Sequence, residues 1–260
     1  MTTWAVFSIK GGVGKTSSAI NLAYLASRSG ARTLLWDLDP QGAATYILRE
    51  SLRGAKHGER IIAGTRSLSS YLVRTDFPGL DLIQADLALR YADLLIAKGD
   101  KPRRRLAQIL APLRRRYDRI YLDCPPGLTL MAESIFRASD GMLIPTIPAP
   151  LALRAVDQLV DYVTENQKVT SMIAPFFSMV DRRKLAHRRT VVEGRQKTGF
   201  LRSYIPYSSA IEQIGERRAP VLSFARKHPA SLAYVSMWQE AERAMHAHRA
   251  AMDPPKNRGR

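Results

Sequence analysis

Residues 10–17, Lys10-Gly11-Gly12-Val13-Gly14-Lys15-Thr16-Ser17, bring glycines, two lysines and two hydroxyls into one short stretch. The stretch lies between an apolar run, Trp4 to Ile9, and a helical pattern carrying Ala19, Leu22, Ala23, Leu25 and Ala26 on one side. A glycine-rich turn from a strand into a helix aims backbone N–H groups and the positive end of a helix at one point, which suits an anion. At that point Lys15 can neutralise β- and γ-phosphates, and the Thr16 hydroxyl can ligate Mg²⁺. The chemistry predicted here is the holding of a nucleoside triphosphate with its magnesium ion.

Two carboxylate segments stand where such a site needs them. Thr33 to Trp36 reads as a compact buried strand and runs into Asp37-Leu38-Asp39-Pro40-Gln41-Gly42. Side-chain alternation along a strand points Asp37 and Asp39 to the same side, with Asp39 nearer the phosphate edge. Ile120 to Leu122 reads as a second buried strand and ends in Asp123-Cys124-Pro125-Pro126-Gly127. A carboxylate at the end of an apolar strand is placed to hold the shell of a magnesium ion, so Asp123 joins Thr16 as a candidate there.

The glycine run departs from the common P-loop pattern, which asks for glycine at position 9; this chain has Ile9 followed by Lys10. Lys10 to Thr16 thereby resembles the deviant Walker A motif of the ParA/MinD/nitrogenase-iron-protein family. The resemblance extends over residues 3–245, sharply up to 150 and loosely beyond. It implies an ATPase that dimerises with ATP, in which Lys10 reaches the partner's phosphates as an arginine finger would. It also implies that Asp39 orients the attacking water, that Asp37 supports the magnesium region, and that Pro125 to Gly127 senses the γ-phosphate. Ile205-Pro206-Tyr207 resembles the family's late loop against the adenine, with Pro206 and Met179 as base contacts. The nucleotide contacts are therefore Lys10, Gly11, Gly12, Val13, Gly14, Lys15, Thr16, Ser17, Met179 and Pro206; the metal candidates are Thr16, Asp37 and Asp123; the catalytic ones are Lys10, Lys15 and Asp39. The iron protein's cluster needs two cysteines per subunit, whereas Cys124 is the only cysteine here and reads as a small buried residue.

These motifs require strands to carry them. Besides the segments named, Leu80 to Ile83, Met142 to Ile147 and Met172 to Val180 read as strands; Pro102 to Tyr117, Leu153 to Val163 and Ser231 to Ala250 read as helices. Short apolar strands alternating with amphipathic helices predict an α/β three-layer sandwich, a mainly parallel twisted sheet covered by helices on both faces, as in P-loop NTPases. Residues 1–250 are expected to form one such domain, with Gly54 to Thr65 as a polar insertion and 251–260 as a disordered basic tail.

Charge suggests the partner. Forty Lys and Arg against 23 Asp and Glu give a formal charge of +17, which attracts polyanions. One arginine cluster, Lys101 to Arg119, flanks the helix before Asp123; a second, Arg182 to Arg202, follows the strand at Met172, and four further cations lie at 217, 218, 226 and 227. Partition ATPases, which this chain resembles, gather basic C-terminal residues into a surface for nonspecific double-stranded DNA. The residues expected there are Arg188, Arg189, Arg195, Lys197, Arg202, Arg217, Arg218, Arg226 and Lys227. A ParB-like or other adaptor would stimulate hydrolysis, and the chain would be cytoplasmic and nucleoid-associated. The alternative is MinD-like membrane attachment through the last helix, but Glu240, Glu242 and a Pro-rich end suit a packed helix better, so no membrane partner is expected. A biosynthetic ligase or amidase of the same superfamily is a further alternative, disfavoured by Lys10. No helix-turn-helix segment is expected before the glycine loop.

Overall fold

The computed structural model describes residues 1–49, 58–63, 67–166, 170–197 and 199–252. Seven strands run β1 (Thr2–Val6), β2 (Thr33–Asp37), β3 (Leu72–Arg74), β4 (Leu80–Ile83), β5 (Arg119–Asp123), β6 (Gly141–Thr146) and β7 (Met172–Phe177). The helices are α1 (Lys15–Arg28), α2 (Ala43–Leu48), α3 (Gly58–Ala63), α4 (Ala92–Ala97), α5 (Arg105–Leu110), α6 (Leu130–Ala138), α7 (Pro150–Asp161), α8 (Leu185–Gly194), α9 (Ser209–Arg217), α10 (Val221–Phe224) and α11 (Pro229–Met252). The sheet order is β3-β4-β2-β5-β1-β6-β7. All neighbours pair in parallel except β3, which lies antiparallel on β4 at the edge.

Period-two alternation divides the strand residues between two cores. Ala5, Leu34, Trp36, Ile120 and Leu122 enter one core with residues of α5, α6 and α7. Trp4, Val6, Leu35, Tyr121 and Leu143 enter the other with residues of α1, α2, α9 and α11. Strands β1 and β2 are buried at every position, as strands covered on both faces must be. The expected mainly parallel sheet with helices on both faces is therefore present.

Several elements differ in detail from the sequence pattern. The first strand stops at Val6, and the turn starts at Phe7. The helix expected over Pro102 to Tyr117 is α5 flanked by 3₁₀ turns at Pro102–Arg104 and Ala111–Arg115. Pro112 has no N–H to donate to Gln108, so regular α-helix ends just before it. Of the expected polar insertion, residues 54–57 and 64–65 lie outside the described residues; α3 within it buries Ile61 and Ile62. The expected disordered tail lies outside them from residue 253 onward, and its first two residues, Ala251 and Met252, are the end of α11.

Candidate nucleotide site

The C-terminal ends of β1, β2 and β5 converge at the start of α1. Val6 and Asp123 are register partners, as are Asp37 and Asp123. Gly14 is the residue before α1 and has φ 86°, ψ 26°. This left-handed conformation disfavours any residue with a Cβ, and a Cβ there would also meet Ser178 Oγ at 2.9 Å. The turn thus needs glycine for its backbone and for the close approach of the loop after β7.

Lys15 is buried, and its Nζ donates to the Lys10 carbonyl at 3.0 Å. Burial lowers its pKa, and the negative charges of Asp123 and Asp39 work against that shift. The ammonium is in this way held under the glycine turn, facing the carboxylates. Lys10 itself is exposed; its backbone N–H approaches Ser8 Oγ at 3.4 Å.

The three aspartates occupy different environments. Asp37 is fully buried, and Oδ2 accepts from both the N–H and the hydroxyl of Thr45 at 2.8 Å while Oδ1 accepts from Asp39 N–H at 3.2 Å. Burial raises its pKa to about 6, against the pull of the Thr45 bonds. Asp39 is half-exposed at the cleft wall, where Oδ1 accepts from Gln41 N–H at 3.0 Å. Asp123 is fully buried, and burial first, then the charge of Asp37, pushes its pKa well up. The nearby Thr16 hydroxyl favours the ionised form, yet neither oxygen of Asp123 closes a hydrogen bond to the protein. Buried carboxylate oxygens seldom stay unpaired. Hard cations take oxygen ligands, so orphaned Asp123 beside the Thr16 hydroxyl fits a magnesium ion and its water shell. The three hydrogen bonds that Asp37 accepts make it an anchor of the turn as well as a carboxylate beside Asp123. No group of three or more His, Cys, Asp or Glu that could hold a metal occurs among the described residues.

The turn forms one wall of a cleft of about 560 Å³. Gly11, Gly12, Gly14, Lys15, Thr16, Ser17, Met179 and Pro206 all line it, while Lys10 and Val13 do not. Met179 and Pro206 meet there because Val180 bridges to Pro206, the N–H of Val180 donating to Ile205 O and that of Tyr207 to Val180 O, both at 3.0 Å. Met179 has φ 56°, an unusual conformation for a residue with a long side chain. Sequence reasoning missed Ser178, Ser208, Ile211, Glu212 and Gly215, which complete the far wall. The one available signal was Ser208, a cap residue ahead of the apolar spacing Ala210, Ile211, Ile214, and its hydroxyl does accept from Ala210 N–H at 3.2 Å.

The nine expected DNA contacts divide into two groups. Lys197 pairs with Asp157 at 2.6 Å, Arg195 donates to Arg202 O and lies over Tyr204, and Arg217 lies over Phe224. Arg218, at φ 50°, lies over the Tyr46 ring and donates to the carbonyls of Tyr46 and Arg49. The side chains of Arg188, Arg189, Arg202, Arg226 and Lys227 are exposed and make no hydrogen bond or ion pair among the described residues. Cys124 is buried, and burial raises its thiol pKa well above the usual range. Among the described residues, no helix is long and apolar enough to cross a membrane.

A glycine turn between β1 and α1, a lysine beneath it and carboxylates on the adjacent strand ends define a P-loop nucleotide-binding protein. Residues 1–174 match the family AAA_31, described as an AAA domain. The chain belongs to that family, within its ParA/MinD-type P-loop ATPases. It is 29% identical over 242 residues to the chromosome partitioning protein ParA of Myxococcus xanthus, spanning 89% of this chain and 84% of that one. It is 33% identical over 165 residues to the sporulation initiation inhibitor protein Soj of Bacillus subtilis, spanning 63% of this chain and 65% of Soj. Among solved structures, cobyrinic acid a,c-diamide synthase from Mycobacterium smegmatis, with bound ATP analog and magnesium, has a TM-score of 0.80 at 25% identity over 94% of both chains.

Proposed function

We propose that this chain is an ATP-driven switch: it dimerises with ATP, binds DNA without regard to sequence, and partitions or positions a DNA or protein cargo. The observation that carries this reading is the contrast between the two lysines of one turn. Lys15 is buried under the turn, whereas Lys10 is exposed and outside the cleft its own loop lines. A lysine so placed is available to the phosphates of a second copy. The relatives named for chromosome partitioning and sporulation control fit the same reading.

In the proposed reaction the backbone N–H groups of Gly11 to Thr16 cradle the triphosphate. Thr16 and Asp123 would hold the magnesium ion, which when bound would draw charge from the phosphate oxygens. Asp39 accepts a hydrogen bond from the attacking water and orients it toward the γ-phosphorus. Lys15, and Lys10 of the second copy, stabilise the charge that grows as the bond to the leaving ADP lengthens. Hydrolysis is slow until an adaptor of ParB-like type acts, and loss of the γ-phosphate dissolves the dimer and releases DNA. The protein is proposed to work in the cytoplasm on the nucleoid, as one ATPase domain.

Binding to random-sequence duplex DNA without nucleotide, with ADP and with ATP–Mg²⁺, over a salt series, tests this reading. Binding confined to ATP and weakening steeply with salt is expected; nucleotide-indifferent binding or none overturns it. The likeness to the diamide synthase favours a second reading, ATP-dependent amide formation on a small carboxylic acid. Phosphate release that depends on such an acid and is blind to DNA would move the choice there.

A further inference from the structure

At the opposite end of the sheet from the P-loop, the starts of β6 and β7 meet the last turns of α6 and α11 around a cavity of about 470 Å³. Its wall carries Arg104, Arg114, Arg137, His248 and Arg249, with Asp140 as its carboxylate. Asp140 is already engaged: it accepts from Thr3 N–H at 2.7 Å, and Arg249 lies 3.6 Å away. Arg249 also donates to Met1 O, and a ring nitrogen of His248 lies 2.8 Å from Thr170 O. The side chains of Arg104, Arg114 and Arg137, in contrast, make no hydrogen bond or ion pair among the described residues, although the charge of Arg137 is felt by Glu133 one helical turn before it. The Nε–H of Arg137 is buried and meets no acceptor, a state that costs free energy unless something supplies one.

The cavity is not isolated. Arg104 and Arg137 also line an adjoining cleft of about 480 Å³ with Lys101, Arg103 and Leu130. In that cleft Arg103 is paired with Glu133, which leaves Arg104 and Arg137 on the shared wall, with Lys101 in the cleft and Arg114 in the cavity, as cations without an ion pair among the described residues. A small anion would satisfy one end of this trough and leave the other bare. Guanidinium groups without ion pairs, spread over two clefts that share Arg104 and Arg137, suit an extended polyanion. The apolar floor, Phe136 and Met245, is buried and Met252 alone of the cavity's large apolar residues is exposed, so the rim is chiefly charge, and a lipid surface is left as an outcome of the test.

We propose that this trough is a second DNA contact, in which Arg104, Arg114 and Arg137 bind backbone phosphates, separate from the arginines that follow β7. The proposal rests on the reading of the chain as a nonspecific DNA binder. Phosphate contacts of this kind carry no sequence information and set the salt dependence of binding.

The test compares wild type, Arg104→Ala/Arg114→Ala, Arg137→Gln and Arg188→Ala/Arg189→Ala. Each is titrated with random-sequence duplex in ATP–Mg²⁺ over a salt series, with fluorescent-ATP binding and anionic-vesicle flotation alongside. Arg104 and Arg114 are exposed, so their double variant keeps the fold and ATP binding. The expected result is a log–log salt slope shallower by about 0.9 for each trough arginine removed, with vesicle flotation unchanged. A trough variant with wild-type slope and affinity, while Arg188→Ala/Arg189→Ala binds weakly, overturns the trough and leaves the DNA reading standing. Wild type that binds no duplex in any nucleotide state overturns that reading, and the trough with it. Loss of flotation with DNA binding intact assigns the trough to an anionic membrane instead.

Discussion

Gly14 meets two constraints at once, a backbone at φ 86° and a neighbour, Ser178 Oγ, at 2.9 Å from where a Cβ would stand. Placing an L-residue in the left-handed region costs about 1–2 kcal/mol, and the contact adds to it. Gly14→Ala is therefore expected to weaken ATP binding by roughly tenfold or more, measured by titration with a fluorescent analogue; unchanged affinity would refute this account of the turn. Lys15→Ala removes the cation facing the carboxylates and is expected to abolish ATP binding and, on the proposed reading, dimerisation. Sedimentation with ATP checks it, and a variant that still dimerises contradicts the P-loop role. In the proposed mechanism Asp39→Ala keeps ATP and loses the oriented water. It is expected to remain on DNA as an ATP-bound dimer, and normal phosphate release from that variant would sink the role given to Asp39.

At the scale of elements, Thr45 joins three of them. Its hydroxyl donates to Asp37 at the end of β2 and accepts from Ala85 N–H after β4, each at 2.8 Å, while its own N–H, in α2, also donates to Asp37. Thr45→Val keeps the volume but leaves a buried carboxylate and a backbone N–H each short of a partner, at about 1–3 kcal/mol. A lowered denaturation midpoint is expected, and a midpoint equal to wild type would mean that the turn is held by something else. The elements bearing chemistry were legible because their signals are local: a glycine run, two strands ending in aspartate, a helix with apolar spacing. The edge strand at Leu72–Arg74 has three residues and no alternation to detect, and α3, α6, α8 and α9 were hidden in polar or short stretches. The far wall of the cleft was mostly illegible for another reason. Ser178, Ile211 and Glu212 reach it only through the pairing of Val180 with Pro206, a long-range contact with no pattern along the chain. Charge is silent in a similar way, since side-chain type alone cannot separate exposed Arg188 from Arg218, which is engaged with the carbonyls of Tyr46 and Arg49.

On the scale of the whole molecule, the parallel sheet gives the protein two unlike ends. The glycine turn lies where β1 finishes, and the arginine trough where β6 and β7 begin. Strands of five to six residues separate them by about 17–20 Å, beyond the Debye length of ~8 Å at physiological salt. A nucleotide held at one end does not reach the arginines at the other, and ATP at saturating concentration is not expected to compete with DNA for the trough. Arg218 has a different consequence. Its guanidinium ties α9, one side of the cleft, to the carbonyls closing α2 on the other. A bridge of this kind between the two sides slows their separation, and with it the exchange of what lies between them. Arg218→Ala should hasten release of bound nucleotide in a stopped-flow chase, making this one arginine a brake on nucleotide exchange; release at the wild-type rate would mean that the bridge does not hold the cleft.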